Sequence, residues 1–257
     1  MDLGLKGRVA VVTGASKGIG AAISRELAEE GCSLALCARG VEDLESLATE
    51  IEKSTSVEVF ARQADVTDPD QVGRFRDEVL ARFKTVDILV NNAGRSYPGN
   101  FAVLTDEDFL NDYTVKALSH IRVTRAFLPS LRESNQARIV NINSIHGMHA
   151  DARFFTSSVN RAASIGFSRT LALSLASENI CVNSVNIGFV LTPQWSNVHQ
   201  RIRPDLEAEA FFAETGAREV PMGRMGRPEE VAGMVAFLAS ARATYITGAS
   251  IDVGGGQ

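Results

Sequence analysis

The sequence predicts a single α/β domain over residues 1–257, built as a doubly wound, Rossmann-type parallel sheet with helices on both faces. Three observations support this prediction. Short apolar runs alternate with amphipathic helical segments along the whole chain. The strand-like runs are apolar at nearly every position, which is typical of strands buried on both faces of a sheet. A glycine-rich turn joins the first strand to the first helix.

The individual elements follow from these patterns. Long helices are predicted over 106–132, with Thr105 as the cap, and over 154–176. Pro228 suits the first turn of a later helix, because the amide that proline lacks would be unpaired there. Apolar runs predict strands over 9–12, 34–38, 57–61, 86–90, 138–142 and 180–185, and a last strand in the C-terminal segment that starts at residue 248.

Composition narrows the classes of function. The chain is 45% hydrophobic and 22% charged, with a net charge of -5. An acidic protein without a basic block is not expected to bind nucleic acid. No run approaches the length of a membrane span and no secretory leader is apparent, so a cytoplasmic protein without membrane contact is expected. Cys32, Cys37 and Cys181 lie in apolar runs without metal-ligand spacing, which favours buried reduced thiols and no metal site.

The first strand leads into a turn of the phosphate-binding type. Thr13 and Gly14 are followed by Gly18 and Gly20, and apolar residues then recur at helical spacing. Glycines let the backbone turn tightly and approach a pyrophosphate, and free amides at the start of a helix carry partial positive charge. The alternative is an ordinary glycine-rich β-α turn without a ligand.

The pattern Thr-Gly-x-x-x-Gly-x-Gly over 13–20, followed by Asn-Asn-Ala-Gly over 91–94, resembles the short-chain dehydrogenase/reductase family. The resemblance covers nearly the whole chain. It implies a protein that binds NAD or NADP and a small-molecule substrate, with a mobile substrate lid over about 193–223. It also implies a homo-oligomer, a dimer or tetramer, in which the two long helices pack against their copies.

The residues after the second strand favour NADP over NAD. Ala38 stands where NAD-preferring proteins of this fold carry an acid for the ribose 2′-hydroxyl, and Arg39 follows it. Together with Lys17, Arg39 could neutralise a 2′-phosphate, unless it is only a solvated surface arginine. Asp65 and Val66 match the adenine-contacting pair of the family. For Asp65 the competing interpretation is a helix cap before Pro69, and the two roles are compatible.

The resemblance implies which residues contact the cofactor. They lie in the glycine loop, after the second and third strands, in the Asn-Asn-Ala-Gly segment, on the second long helix and after the sixth strand, where Ile187 replaces the family's proline. The set is Gly14, Ser16, Lys17, Gly18, Ile19, Gly20, Arg39, Asp65, Val66, Asn92, Ala93, Gly94, Arg161, Val190 and Thr192. For Asn91 and Asn92, a purely structural role is an equal alternative.

The catalytic positions depart from the family's set of Asn, Ser, Tyr and Lys. Ser144 matches the family serine, whereas alignment puts Lys116, Ser157 and Arg161 at the Asn, Tyr and Lys positions. Ser157 and Arg161 are four residues apart, so they share one helix face. A tyrosine with a pKa of ~10 can be tuned into an acid, but the pKa of a serine cannot be lowered that far by one arginine. Arg161 keeps its proton at ordinary pH and can only hydrogen-bond.

Another group must then move the proton. Lys116 is the first candidate because neighbouring cations would lower its pKa, unless it points to solvent or pairs with Asp112 four residues earlier. His146 is the second, since imidazole titrates near neutrality. In the lid, Arg201 and Arg203 suggest an anionic substrate, or simply a solvated surface.

These observations predict an NADP(H)-dependent oxidoreductase that transfers hydride to or from a carbonyl or alcohol substrate. Ser144 would orient the substrate oxygen and Ser157 would donate a hydrogen bond to it. Three alternatives stay open. They are an imine or enone reductase, a non-redox lyase or isomerase on the same scaffold, and a catalytically silent NADP-binding sensor or subunit.

Overall fold

The computed structural model describes residues 1–95, 97 and 99–257. This part of the chain contains a seven-stranded parallel sheet in the order β3-β2-β1-β4-β5-β6-β7. Each predicted strand overlaps an observed one. The strands are β1 (Val9–Thr13), β2 (Ser33–Ala38), β3 (Val59–Gln63), β4 (Ile88–Asn91), β5 (Arg138–Ser144), β6 (Cys181–Ile187) and β7 (Ser250–Val253).

Helices cover both faces of the sheet, which confirms the predicted fold class. On one face, Ile23 and Leu27 of the first helix pack with Val231 of the last helix, and on the other Phe75 packs near Phe127. The helices are α1 (Gly18–Glu29), α2 (Val41–Ser54), α3 (Pro69–Phe83), α4 (Asp106–Tyr113), α5 (Ser119–Glu133), α6 (Phe155–Leu175), α7 (Pro193–Ile202), α8 (Ala208–Glu219) and α9 (Pro228–Ala239). The predicted proline at the start of α9 is therefore confirmed.

The predicted helix over 106–132 is one continuous helical run whose pitch changes in the middle. α4 passes into α5 through a π-helical turn over Thr114–Leu118, which the sequence pattern did not reveal. Thr105 caps α4 as predicted, and forms a capping box with Asp108. π-Helical turns occur frequently at functional sites, and this one carries Lys116.

The expectation that Asp65 caps the third helix is wrong. The cap of α3 is Asp68, whose carboxylate accepts hydrogen bonds from the amides of Asp70 and Gln71 at 2.8 and 3.2 Å. Asp65 instead accepts hydrogen bonds from the amide and the hydroxyl of Thr67. A cap must directly precede its helix, and Asp65 stands three residues too early.

The thiols of Cys32, Cys37 and Cys181 are buried and unpaired, as predicted. Burial raises the pKa of Cys32 and of Cys37 to about 12, so both stay protonated. Over residues 1–95, 97 and 99–257, no group of three or more His, Cys, Asp or Glu side chains is arranged to hold a metal ion. Within the same residues, the helices are too short or too polar to cross a membrane.

Candidate active site

A cavity of about 560 Å³ opens at the carboxyl ends of β1, β4, β5 and β6. The strand order reverses between β1 and β4, and doubly wound sheets bind their ligands at such a reversal. Every residue predicted for cofactor binding or catalysis lines this cavity. Its two ends differ in construction, and we call them the loop end (residues 14–20 and 38–40) and the charged floor (Lys116, Ser157 and Arg161).

The loop end is shaped by close approaches that only glycine allows. Gly14 has a φ of +64°, and a Cβ there would lie 2.8 Å from Ala93 Cα. A Cβ on Gly20 would lie 2.3 Å from the Gly14 carbonyl oxygen. α1 begins at Gly18, and no side chain of the described residues caps its N-terminus. Free amides therefore face the cavity, as an anion site requires.

The two asparagines after β4 differ in role. Asn92 lines the cavity, and its side-chain amide donates to the carbonyl oxygens of Thr13 and Gly14 at 2.9 and 3.0 Å. Asn91 is 1% exposed and donates to Thr124 Oγ1 and to Asn141 Oδ1. Asn91 is thus structural, whereas Asn92 fixes the glycine loop while facing the cavity.

Two cations stand at the outer part of the loop end. Lys17 Nζ forms an ion pair with Asp43 Oδ2 at 2.7 Å, and both side chains are about half exposed. Arg39 is exposed, and its guanidinium forms no ion pair with any described carboxylate. Exposed pairs of this kind contribute about 0–1 kcal/mol, so Asp43 holds Lys17 only weakly. Arg39 is therefore the cation already free to meet an anion.

At the charged floor, Lys116 is 1% exposed, which excludes the solvent-facing alternative. Its Nζ donates a hydrogen bond to Ser157 Oγ at 2.6 Å and forms an ion pair with Asp112 Oδ1 at 2.7 Å. The predicted pairing with Asp112 is thus present together with a contact to Ser157. α4, its π-helical turn and α6 bring these three side chains together.

Burial and mutual repulsion set the protonation of the floor. Burial and, next, the charge of Arg161 lower the pKa of Lys116 to about 8, although Asp112 opposes both. Burial also lowers the pKa of Arg161 to about 10, which leaves it charged at neutral pH. The guanidinium of Arg161 donates a hydrogen bond to the Ile142 carbonyl oxygen at 2.8 Å, which fixes it near the carboxyl end of β5.

Ser144 and His146 follow at the end of β5. Ser144 Oγ accepts a hydrogen bond from the His146 amide at 3.3 Å. The His146 ring stacks on Phe154, with the ring centres 4.8 Å apart. Burial lowers the pKa of His146 below its ordinary value, so the imidazole is neutral at pH 7. Phe189 and Trp195, 4.9 Å apart, complete an aromatic wall (His146, Phe154, Phe189 and Trp195) on the cavity.

One suggestion from the sequence, that Arg201 and Arg203 meet an anionic substrate, is not supported. Neither residue lines the cavity. Both are exposed, and Arg203 forms an ion pair with Asp205, which agrees with the alternative of a solvated surface. Conversely, sequence reasoning missed the aromatic wall and treated Asp112 only as a competitor for Lys116. The spacing of four residues signalled the contact with Asp112, but no local pattern signalled that the four rings of the aromatic wall would meet.

Comparison with known proteins shows similarity along almost the whole chain. A family model described as enoyl-(acyl carrier protein) reductase matches residues 14–257. The 3-oxoacyl-(acyl-carrier-protein) reductase FabG of Thermotoga maritima is 32% identical over 252 residues, which are 98% of each chain.

Solved structures show the same fold. L-sorbose reductase from Gluconobacter frateurii, complexed with NADPH and L-sorbose, is 33% identical with a TM-score of 0.96, over 100% of this chain and 98% of that one. The NADPH-bound short chain oxidoreductase from Pseudomonas aeruginosa PAO1, which contains an atypical catalytic center, is 35% identical with a TM-score of 0.89, over 97% and 96% of the chains. Because likeness of this degree spans sequence and fold together, the chain belongs to the short-chain dehydrogenase/reductase family, as its motifs predicted.

Proposed function

We propose that this protein is an NADPH-dependent reductase that converts a carbonyl substrate to an alcohol, with Lys116 as the proton donor. The observation that carries the proposal is the 2.6 Å hydrogen bond from Lys116 Nζ to Ser157 Oγ at the floor of the cavity that also contains the glycine loop. A group able to supply a proton and a site suited to a dinucleotide thus share one cavity.

The loop end suits NADP by its shape and charge. The pyrophosphate would meet the uncapped start of α1, where a Cβ on Gly14 or Gly20 would collide with the loop itself. Arg39 would pair with the 2′-phosphate, and Lys17 would join it by leaving Asp43. NADPH, when bound, supplies the hydride. The NADPH complexes among the structural relatives support the same assignment.

The charged floor supplies the proton. Lys116 donates to Ser157 Oγ, which leaves the serine hydroxyl hydrogen free to donate to the substrate oxygen. As that oxygen gains negative charge, Ser157 gives it a proton and takes one from the Lys116 ammonium, which becomes a neutral amine. Ser144 would donate a second hydrogen bond to the same oxygen, and Arg161 would stabilise the developing charge.

His146 is the weaker candidate for the proton donor. Its lowered pKa leaves it neutral at pH 7, so it has no readily released proton when the substrate oxygen needs one. Lys116, with a pKa of about 8, is still largely protonated at pH 7 and is close to the range in which general acids work well. His146 then acts as part of the aromatic wall.

The wall indicates the shape of the substrate. Phe154, Phe189 and Trp195 present apolar rings beside the cationic floor. A carbonyl compound with a flat or apolar body beside its oxygen satisfies both surfaces. α7 and α8 lie within 193–223, which we assign as the lid of the single 1–257 domain.

We also assign a homo-oligomer, a dimer or tetramer, to this protein. Leu110 on α4 and Leu173 on α6 are 65% and 83% exposed, so the two helices predicted to pack against their copies carry apolar side chains on the surface. Light scattering after size exclusion should give a mass of two or four chains. A monomer at micromolar concentration would contradict the assignment. A cytoplasmic location, checked by cell fractionation, belongs to the same proposal.

The proposal is tested by binding and turnover. NADPH and NADH are titrated into the pure protein, and cofactor absorbance is followed with panels of ketones, 3-oxoacyl thioesters, imines and enones. We expect NADPH consumption with a ketone or a 3-oxoacyl thioester. Consumption only with imines or enones would replace the proposed reaction, and tight NADPH binding without consumption on any panel would favour the sensor.

A substitution then isolates the proton donor. Lys116→Met should lower kcat about 10²- to 10⁴-fold, the usual contribution of a general acid, with little change in the Kd of NADPH. The control is Lys53→Met, which removes an exposed lysine at the end of α2. Equal kcat values for the two variants would remove Lys116 from the mechanism.

A further inference from the structure

Asp112 is a buried carboxylate that the proposed mechanism has not used. Its side chain is 0% exposed, and it lies one turn before Lys116, in the last turn of α4. Oδ1 forms the ion pair with Lys116 Nζ at 2.7 Å, and Oδ2 accepts a hydrogen bond from Asn160 Nδ2 at 2.9 Å. Each carboxylate oxygen therefore has a partner from a different part of the chain.

These two contacts tie the π-helical turn to α6. Asn160 stands three residues after Ser157 and one before Arg161, and it is itself buried. The carboxylate thus contacts the lysine on one side and, on the other, the helical turn that carries the two other groups of the floor. Because Lys116 also donates to Ser157, Nζ is held from both sides within a closed ring of contacts.

The charge balance at the floor gives Asp112 a second effect. Lys116 and Arg161 are both buried cations, and in the described part of the chain Asp112 is the carboxylate that pairs with Lys116, while none pairs with Arg161. Arg95 is a third cation that acts on Lys116, and His146 on the other side is neutral. An uncompensated ammonium in such surroundings loses its proton or turns away.

We propose that Asp112 is a positioning residue, which together with Asn160 holds the Lys116 ammonium against Ser157 Oγ. This inference rests on the proposed function, since it assigns Asp112 a part in the same proton transfer. Asp112 does not line the cavity, and it acts on the substrate only through Lys116. Its negative charge also opposes the fall in the pKa of Lys116 that burial and Arg161 cause.

The chain allows a direct test, because it contains only five lysines, Lys6, Lys17, Lys53, Lys84 and Lys116. Lysine labelled with ¹³C at Cε gives one NMR signal for each, and Lys116→Met identifies the signal of interest. We expect Asp112→Asn to lower the titration midpoint of Lys116 by about one pH unit or more, since it removes a partner that stabilises the charged form. At pH 7.5, a midpoint lowered from about 8 to about 7 reduces the protonated fraction of Lys116 about threefold, so kcat should fall at least about threefold, with smaller changes in KM and in the Kd of NADPH.

The matched control is Asp106→Asn, which removes an exposed carboxylate from the first turn of the same helix and should leave the Lys116 titration and kcat unchanged. If Asp112→Asn does not fold, Asp112→Ser carries the same expectation, because it is smaller, uncharged and still offers a hydroxyl to its neighbours. An unchanged Lys116 midpoint, or an unchanged kcat, in the folded variant would overturn the proposal. The NMR titration needs no turnover. An inactive wild-type protein would therefore refute the proposed function, while the titration still decides whether Asp112 controls Lys116.

Discussion

The two ends of the cavity are built on opposite principles. The loop end uses backbone amides and exposed side chains, and its shape depends on short-range geometry around Gly14 and Gly20. The charged floor uses buried side chains from distant parts of the sequence, and its chemistry depends on how Lys116 and Arg161 affect each other. We therefore expect that substitutions can damage dinucleotide binding at the loop end and the proposed proton transfer at the charged floor separately.

The largest expected effect on cofactor binding comes from the backbone of the loop end. Gly20→Ala would place a methyl group 2.3 Å from the Gly14 carbonyl oxygen, so the loop must move away from its present shape. We expect the Kd of NADPH to rise by about 100-fold, equivalent to about 2.8 kcal/mol. Isothermal titration calorimetry checks this value.

The control for the loop substitution is Gly73→Ala in α3, where a Cβ would meet nothing within 4 Å. That variant should keep its NADPH affinity and gain about 0.5–1 kcal/mol of stability from the better helix former. If Gly20→Ala bound NADPH as tightly as Gly73→Ala, the loop end would not be the pyrophosphate site.

The next effect concerns the floor and appears as a pH dependence. Under the proposed mechanism the protonated form of Lys116 is the active one in reduction, so kcat should be constant well below pH 8 and fall about tenfold per pH unit above the pKa of about 8. For oxidation of the alcohol, the neutral amine of Lys116 is the active form, so kcat should rise with pH over the same range. A reduction rate that stays flat up to pH ~10 would contradict this assignment.

A smaller effect is expected at the outer part of the loop end. Arg39→Ala should raise the Kd of NADPH about tenfold, as for one charge-assisted hydrogen bond at an exposed position, and leave the Kd of NADH unchanged. Lys17→Ala should raise the Kd of NADPH by a smaller factor, since Lys17 must first leave Asp43 to contact the 2′-phosphate. Equal losses for both cofactors in Arg39→Ala would mean that Arg39 does not contact the 2′-phosphate.

The smallest effect is expected at His146, which tests whether this residue takes part in proton transfer. His146→Phe keeps an aromatic ring against Phe154 and removes both ring nitrogens. We expect kcat at pH 7 to stay within about threefold of wild type, well below the change that loss of a general acid produces. A hundredfold loss of kcat would mean that His146, and not Lys116, is the proton donor.

The sequence predicted the fold and the loop end well because both depend on local signals. Alternating apolar runs and the glycines after β1 act over a few residues, and the structure bears out the parallel sheet with helices on both faces that they imply. For the charged floor, the sequence predicted which residues take part, but it did not predict how they contact one another. That Lys116 contacts both Asp112 and Ser157, and that a π-helical turn carries it, depends on packing between α4, α5 and α6, which no local pattern encodes. The α3 cap was misplaced for a local reason, since Asp65 and Asp68 both stand shortly before Pro69 and the sequence pattern does not separate them.

The hydrogen bonds of Asn91 have a consequence for movement in this protein. Asn91 in β4 reaches Thr124 in α5 and Asn141 in β5, and Asn141 in turn donates to Ser168 in α6. Breaking any of these hydrogen bonds would leave a buried polar group without a partner, at a cost of about 1–3 kcal/mol. We therefore expect the middle of the sheet, α5 and α6 to move as one rigid block, and the opening that admits substrate to occur in the proposed lid, which contains α7 and α8.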